Sequence, residues 1–176
     1  MTAPRLETAR LVLRAHDLDD FDDCAALWGD AAVTRFIGGR PSTPEESWSR
    51  LLRYRGHWEL LGFGYWVLAD RVTGRFLGEA GLARYRRAID PPLPDWPEAG
   101  WVLRPDAWGR GLASEALAAV LAWADGTLTA PGTVAIFDPA HAASLRVAAK
   151  AGYGEWCSCS YREQETLAGL RRRPEG

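Results

Sequence analysis

"WVLRPDAWGRGLASEALAAVLAWAD", residues 101–125, decides the fold: a strand-like stretch, a proline, a Gly-Arg-Gly turn and an alanine-rich helix follow one another directly. Ala113, Ala116, Leu117, Val120 and Trp123 recur at helical spacing, so this helix should lay one stripe on a sheet. The turn is the informative part. A turn that opens a helix leaves backbone N–H groups unpaired, and glycine lets a bulky anion approach that backbone closely. A P-loop is excluded because it needs Gly-Lys-Ser/Thr at the end of the turn, and this stretch holds no lysine. A dinucleotide fingerprint fits poorly, since Ser114 stands at the third glycine position and Pro105, Asp106 and Ala107 separate strand from turn. A glycine loop that merely enters a helix is the plain alternative.

Outward from this stretch, Glu98 to Leu103 reads as a strand and Thr133 to Phe137 as the next, with the helix between them. A strand-helix-strand unit of this kind predicts a parallel pair with a right-handed crossover. Upstream, Tyr65–Asp70 and Arg75–Arg84 form a hairpin around Arg71 to Gly74, and the four prolines from Pro91 to Pro97 make the following segment a surface loop. "RLVLR", residues 10–14, is a first strand, and the acids after it, Asp17 or Asp19 among them, cap a helix. "STPEE" opens a second helix that runs to about Leu61. "HAASLRVAAKAGY", residues 141–153, is a helix closed by Lys150 and Gly152, and "EWCSCSY" with "ETLAGLRR" forms a last antiparallel pair. The expected class is α/β: a mixed, mostly antiparallel twisted sheet flanked by helices, with a central parallel strand pair.

With 176 residues, 47% of them apolar, the chain is expected to form one domain over residues 1–176. A net charge of −2 demands neither nucleic acid nor an anionic membrane as partner. The charged N-terminus lacks a signal-peptide core and no run reaches the roughly 20 apolar residues of a membrane span, which places the chain in the cytoplasm. Cys24, Cys157 and Cys159 are odd in number, which argues against a disulfide framework. His16, His57 and His141 are scattered without ligand spacing, so no metal is expected. The Arg171 to Arg173 run reads as a solvated tail rather than a nucleic-acid contact.

"EAGWVLRPDAWGRGLASEAL", with "HAASLRVAAKAGY" some thirty residues on and "RLETARLVLR" near the start, resembles the GNAT acyltransferase superfamily, and more narrowly its ribosomal-protein N-acetyltransferase (RimJ/RimL-like) branch. The likeness in element order and motif spacing runs from Leu6 to about Arg172. It implies the GNAT fold and acetyl-coenzyme A as cosubstrate. By position, the backbone of Gly109, Arg110, Gly111, Leu112 and Ala113, with Ser114 nearby, would cradle the pyrophosphate. The strand of Trp101, Val102, Leu103 and Arg104 would bind the pantetheine arm through its backbone, alongside the strand at Thr133. Trp108 stands where the superfamily usually has Gln or Arg, though the branch often carries Trp. The Arg110 side chain either reaches phosphate or is solvated.

The resemblance also implies roles in the chemistry. Glu98 matches a carboxylate that takes the proton of an attacking amine; its plain alternative is an exposed strand-start charge. Ser144 matches a donor to the departing thiolate, and otherwise bonds its own helix backbone. His141 replaces the branch's usual Asn and can supply one of that amide's hydrogen bonds but not both; it is a coenzyme neighbour, or a catalytic group in its own right. Tyr153 is a second donor candidate or a core residue. Trp66, Trp101, Trp123 and Trp156 are expected in packing and Trp96 in the acceptor cleft. The acceptor should lie near residues 34–43 and 162–166, which supply Arg35, Arg40 and Glu163. The function this implies is acetyl-coenzyme A-dependent transfer of an acetyl group to a primary amine, on a protein N-terminus or a small molecule, by direct attack on the thioester. A non-catalytic coenzyme A or acyl-coenzyme A-binding module, motivated by the absent Asn at 141, is the alternative. Homodimerisation is left open, because no sequence feature identifies a self-complementary surface.

Overall fold

Period-two alternation sends neighbouring side chains of a strand to opposite faces, and the computed structural model, which describes residues 2–174, gathers such strands into one sheet. In chain order the elements are β1 (Leu6–Glu7), β2 (Leu11–Arg14), α1 (Phe21–Trp28), α2 (Ala31–Thr34), α3 (Pro44–Leu61), β3 (Tyr65–Asp70), β4 (Phe76–Ala83), β5 (Ile89–Asp90), β6 (Glu98–Leu103), α4 (Leu112–Thr127), β7 (Gly132–Phe137), α5 (Ala142–Lys150), β8 (Glu155–Tyr161) and β9 (Gln164–Arg172). The nine strands are ordered β1-β2-β3-β4-β6-β7-β9-β8-β5. Every neighbouring pair is antiparallel except β6 and β7, with α4 as their crossover. β1, α2 and β5 have two to four residues each, too few for a hydrophobic period to announce them.

Two layers of helix cover the sheet. Ala116, Leu117 and Val120 of α4 are fully buried against Leu68, Leu82, Ala99 and Leu103, and Ala113 and Trp123 pack beside them, as the helical stripe predicts. On the opposite face, Cys24, Leu27 and Trp28 of α1 and Leu51 of α3 cover Val67, Phe76 and Val102. Trp58 of α3, Trp66 of β3 and Trp123 of α4 form a mutual edge-to-face trio with ring centroids 4.6, 5.1 and 5.3 Å apart. Offset and edge-on aromatic pairs of this kind add to simple area burial. α3 starts where the sequence reads a cap: Thr43 and Glu46 satisfy each other's backbone N–H groups, Pro44 occupies the first turn, and Gly62 ends the helix in the left-handed region.

A charged group lies in the core. Glu79, in the middle of β4, is 1% exposed. It accepts from the Trp28 indole at 2.8 Å and the Cys24 thiol at 3.2 Å, and contacts His16 Nε2 at 3.0 Å. Burial pushes its pKa up, yet the bonds from His16, Trp28 and Cys24 overcome this and hold it below the usual carboxylate value. His16, Cys24 and Glu79 also bring three ligand-type atoms within 4.8 Å, a grouping that sequence spacing conceals. The Arg171–Arg173 run is no tail. Arg171 forks onto Asp125 of α4 at 2.9 and 2.6 Å, Arg172 pairs with Glu155 and Arg173 donates to the Leu128 carbonyl, because β9 carries Arg171 and Arg172 along β7 and Arg173 N–H continues onto the Pro131 carbonyl.

Candidate functional site

The site begins where β6 and β7 separate. Val134 N–H donates to the Pro97 carbonyl at 3.0 Å, and Glu98 opposite Val134 is the single register pair joining the two strands among the described residues. β7 is meanwhile paired along its whole length with β9. On the other edge of β6, Arg104 N–H donates to the Leu77 carbonyl at 3.0 Å, so the antiparallel register turns the backbone of Gly100 and Val102 toward β4. The backbone groups of Trp101 and Leu103 therefore face β7, which no longer pairs with them. This is an opened strand edge that an extended chain can join by backbone hydrogen bonds. The Trp101 and Phe137 rings meet across it, centroids 5.7 Å apart.

A short 3-10 turn, Pro105–Ala107, leads from β6 into the glycine turn. Trp108 is half exposed and its indole donates to the Leu103 carbonyl at 2.7 Å, which ties the turn to the strand's end. Gly109 and Gly111 have φ of 71° and 76°, values that L side chains adopt only with strain. Gly111 is the N-cap of α4 and supplies no side-chain cap, so the first N–H groups of the helix stay available. A strap from the N-terminus holds the turn: Glu115 accepts from the Thr8 hydroxyl at 2.6 Å and from the Arg10 N–H at 2.8 Å, and Arg10 donates to the Arg110 carbonyl at 2.7 Å. Arg110 itself is exposed, Leu112 is buried under the turn, and Ala113 and Ser114 are half-buried. Arg104 pairs with Asp23 at 3.2 Å, which fixes the strand end to α1.

Two catalytic candidates stand on separate elements. Glu98, at the junction of β6 and β7, receives both arms of the Arg87 guanidinium at 2.8 and 2.9 Å. Each of its oxygens takes one donor from Arg87 and keeps a further lone-pair site. Arg87 also donates to the Tyr161 hydroxyl at 3.0 Å and lies over the Tyr85 and Tyr161 rings. On α5, Ser144 Oγ and His141 Nε2 are 3.3 Å apart, so the structure joins two residues that the sequence reading treated separately. His141 stacks on Phe36 at 4.5 Å, and burial draws its pKa below the ordinary histidine value.

Other expectations are redistributed. Tyr153 is a core residue: its hydroxyl bonds Thr133 at 2.7 Å and burial pushes its pKa up to about 12. Trp96 packs against Gly132 at the start of β7; a methyl group at Gly132 would sit 2.6 Å from the indole. Trp156 is 39% exposed, so it packs only in part. A cavity of 620 Å³ opens between the loop before α3, the first turns of α3 and the β8–β9 tip, where residues 34–43 and 162–166 were expected to converge. Arg40 and Arg162 line it, and so do Arg50 and Arg53 of α3, which sequence reading missed because nothing in an amphipathic helix marks which arginines face a loop 110 residues away.

Residues 10–154 match the family model described as "Acetyltransferase (GNAT) domain". A putative GnaT-family acetyltransferase from Bordetella pertussis is 31% identical, with a TM-score of 0.83 over 96% of this chain and 99% of that one. The uncharacterized protein YkkB of Bacillus subtilis is 28% identical over 153 residues, 84% of each chain. RimL, a ribosomal L7/L12 alpha-N-protein acetyltransferase solved in complex with coenzyme A, shares the fold at 13% identity, TM-score 0.75, over 96% of this chain and 98% of its own. The opened strand pair, the uncapped glycine turn and the matched domain lead to one assignment: the chain belongs to the GNAT acetyltransferase family.

Proposed function

We propose that residues 1–176 form a single acetyltransferase domain that moves the acetyl group of acetyl-coenzyme A to a primary amine, in the cytoplasmic setting read from the sequence. The observation that carries this is the continuity of the opened β6 edge with the uncapped α4 N-terminus. The pantetheine arm would lie along Trp101 and Leu103 and the pyrophosphate on the N–H groups from Gly109 to Ser114, with the helix dipole favouring its charge. The thioester would then end near Glu98. The amine nitrogen attacks the carbonyl carbon, an N–C bond forms, and the C–S bond breaks with its electron pair leaving on sulfur. Glu98 takes the amine's proton, directly or through one water, at a lone pair that Arg87 leaves open. A backbone N–H of β6 meets the carbonyl oxygen as it becomes negative. With its Nε2 protonated, neutral His141 donates to Ser144 Oγ and directs the serine O–H to the departing sulfur; the thiolate then takes a proton from solvent, to which Glu98 returns the amine's proton.

Calorimetry with acetyl-coenzyme A, coupled to a free-thiol assay over peptides and small amines, tests the reading. Binding together with amine-dependent thiol release is the expected result. Tight binding with no release from any amine would favour a non-catalytic acyl-coenzyme A-binding module, and absence of binding would overturn the use of the glycine turn.

A further inference from the structure

Resting on this acetyltransferase reading, we propose that the 620 Å³ cavity selects a small acceptor whose amine is accompanied by an anionic group such as a carboxylate. Its volume falls in the range of small-molecule sites. The lining carries Arg40, Arg50, Arg53 and Arg162 against Glu45 and Glu46, in a chain whose net charge is −2. Arg40 is committed to Glu46 through two bonds of 3.0 and 2.5 Å. Arg50, Arg53 and Arg162 have no carboxylate within ion-pair distance among the described residues. Arg50 lies 3.6 Å over the Trp28 ring and bonds Ser42, so its guanidinium is held in place by contacts other than an ion pair. Like charges gathered in a cleft repel one another until an anion enters, and planar guanidinium forks suit a carboxylate.

Two further features join the cavity to the chemistry. Arg53 and Arg87 share the Tyr85 ring, at 5.3 and 4.3 Å, and Arg162 and Arg87 share the Tyr161 ring, at 5.3 and 4.9 Å. The Arg53 and Arg162 guanidiniums are thus one aromatic ring away, on two sides, from the arginine that holds Glu98. An acid group among them leaves an attached amine directed toward the candidate base. The second feature is the β8–β9 tip. Tyr161 pairs with Gln164, so Arg162 and Glu163 alone make the turn, with φ of 53° and 63°. A two-residue turn of this kind favours Asn-Gly, and a long charged pair there is strained. The strain is understandable if the turn exists to present Arg162. A polycationic acceptor meets the opposite arrangement and is repelled.

The test pairs amino acids with the amines left when their carboxylate is removed, phenylalanine with phenethylamine and tyrosine with tyramine among them, alongside spermidine and an acidic tetrapeptide. Thiol release gives kcat and KM, and calorimetry gives acceptor binding without turnover. The amino acids should bind about tenfold or more tightly than their partners, and Arg53→Gln or the Arg162→Asn/Glu163→Gly double variant should raise KM by a similar factor. The double variant removes strain, so misfolding cannot mimic its effect, and acetyl-coenzyme A affinity checks that each variant is folded. Acceptor binding that is lost in the arginine variants supports the inference even without thiol release, which would sink only the transfer reading. Equal binding of acids and decarboxylated amines, or preference for spermidine or for the tetrapeptide, overturns the inference, while turnover of the amines that lack a carboxylate would leave the acetyltransferase intact.

Discussion

At the scale of single residues, position and pairing assign distinct work to Glu98 and Ser144. Glu98 has its orientation fixed by Arg87 and needs only a free lone pair, so Glu98→Gln should keep acetyl-coenzyme A affinity while kcat drops by about 10²-fold or more. Ser144→Ala removes one hydrogen bond to a charged leaving group and should lower kcat roughly 10-fold to 100-fold. Steady-state kinetics and calorimetry on the same preparations check both. The local half of this site was legible in the chain. Gly109, Gly111 and Trp108 declare themselves by adjacency, because a turn and the helix it opens are continuous in sequence. The Arg87–Glu98 fork was not, since Arg87 lies in an irregular segment whose path only the tertiary fold defines. Nor was the His16–Cys24–Trp28–Glu79 cluster, where Glu79 joins residues 51 to 63 positions away.

At the scale of elements, the decisive unit is the β6–turn–α4 continuity. Gly111 meets nothing closer than the Arg10 guanidinium at 3.5 Å, so a methyl group there finds room and its cost is conformational. Gly111→Ala should destabilise the protein by roughly 1–2 kcal/mol, read as a lower denaturant midpoint, and should weaken coenzyme binding further by intruding on the anion's approach. The longer elements were all legible, because α3, α4 and the strands from β3 onward other than β5 carry enough periods to show a face. β1, α2 and β5 were not, because a few residues show no period and such segments exist by pairing or packing alone. Trp96 illustrates the same limit: the proline loop was recognisable, but its fold back onto Gly132 depends on a strand thirty-six residues later.

At the scale of the whole molecule, buried and bonded carboxylates set the acid limit of the fold. Asp20 resists burial's upward push because Arg14 forks onto it at 2.7 and 2.6 Å and the Asp17 N–H adds a third bond, so its pKa lies below the ordinary value. Glu79 and Glu115 are displaced the same way, against burial, by their donors, and the Arg40 pair takes Glu46 down to about 2. A carboxylate with a depressed folded pKa contributes stability that is present above its unfolded value, about 4, and is lost as pH falls through the folded one. Chemical denaturation should therefore show a stability plateau near neutrality and a steep decline below about pH 4. Asp20→Asn should lower the plateau and flatten that decline; an unchanged slope would mean that Asp20 is not among the protons taken up.

The tryptophan trio at the junction of α3, β3 and α4 gives the fold an internal optical gauge. Three indoles fixed within 5.3 Å of one another at steep angles couple their electronic transitions, and they do so only while two helices and the sheet remain in register. The near-ultraviolet circular dichroism of the unlabelled protein should carry the signature of that coupling, and it should vanish when packing loosens even if helices and strands persist.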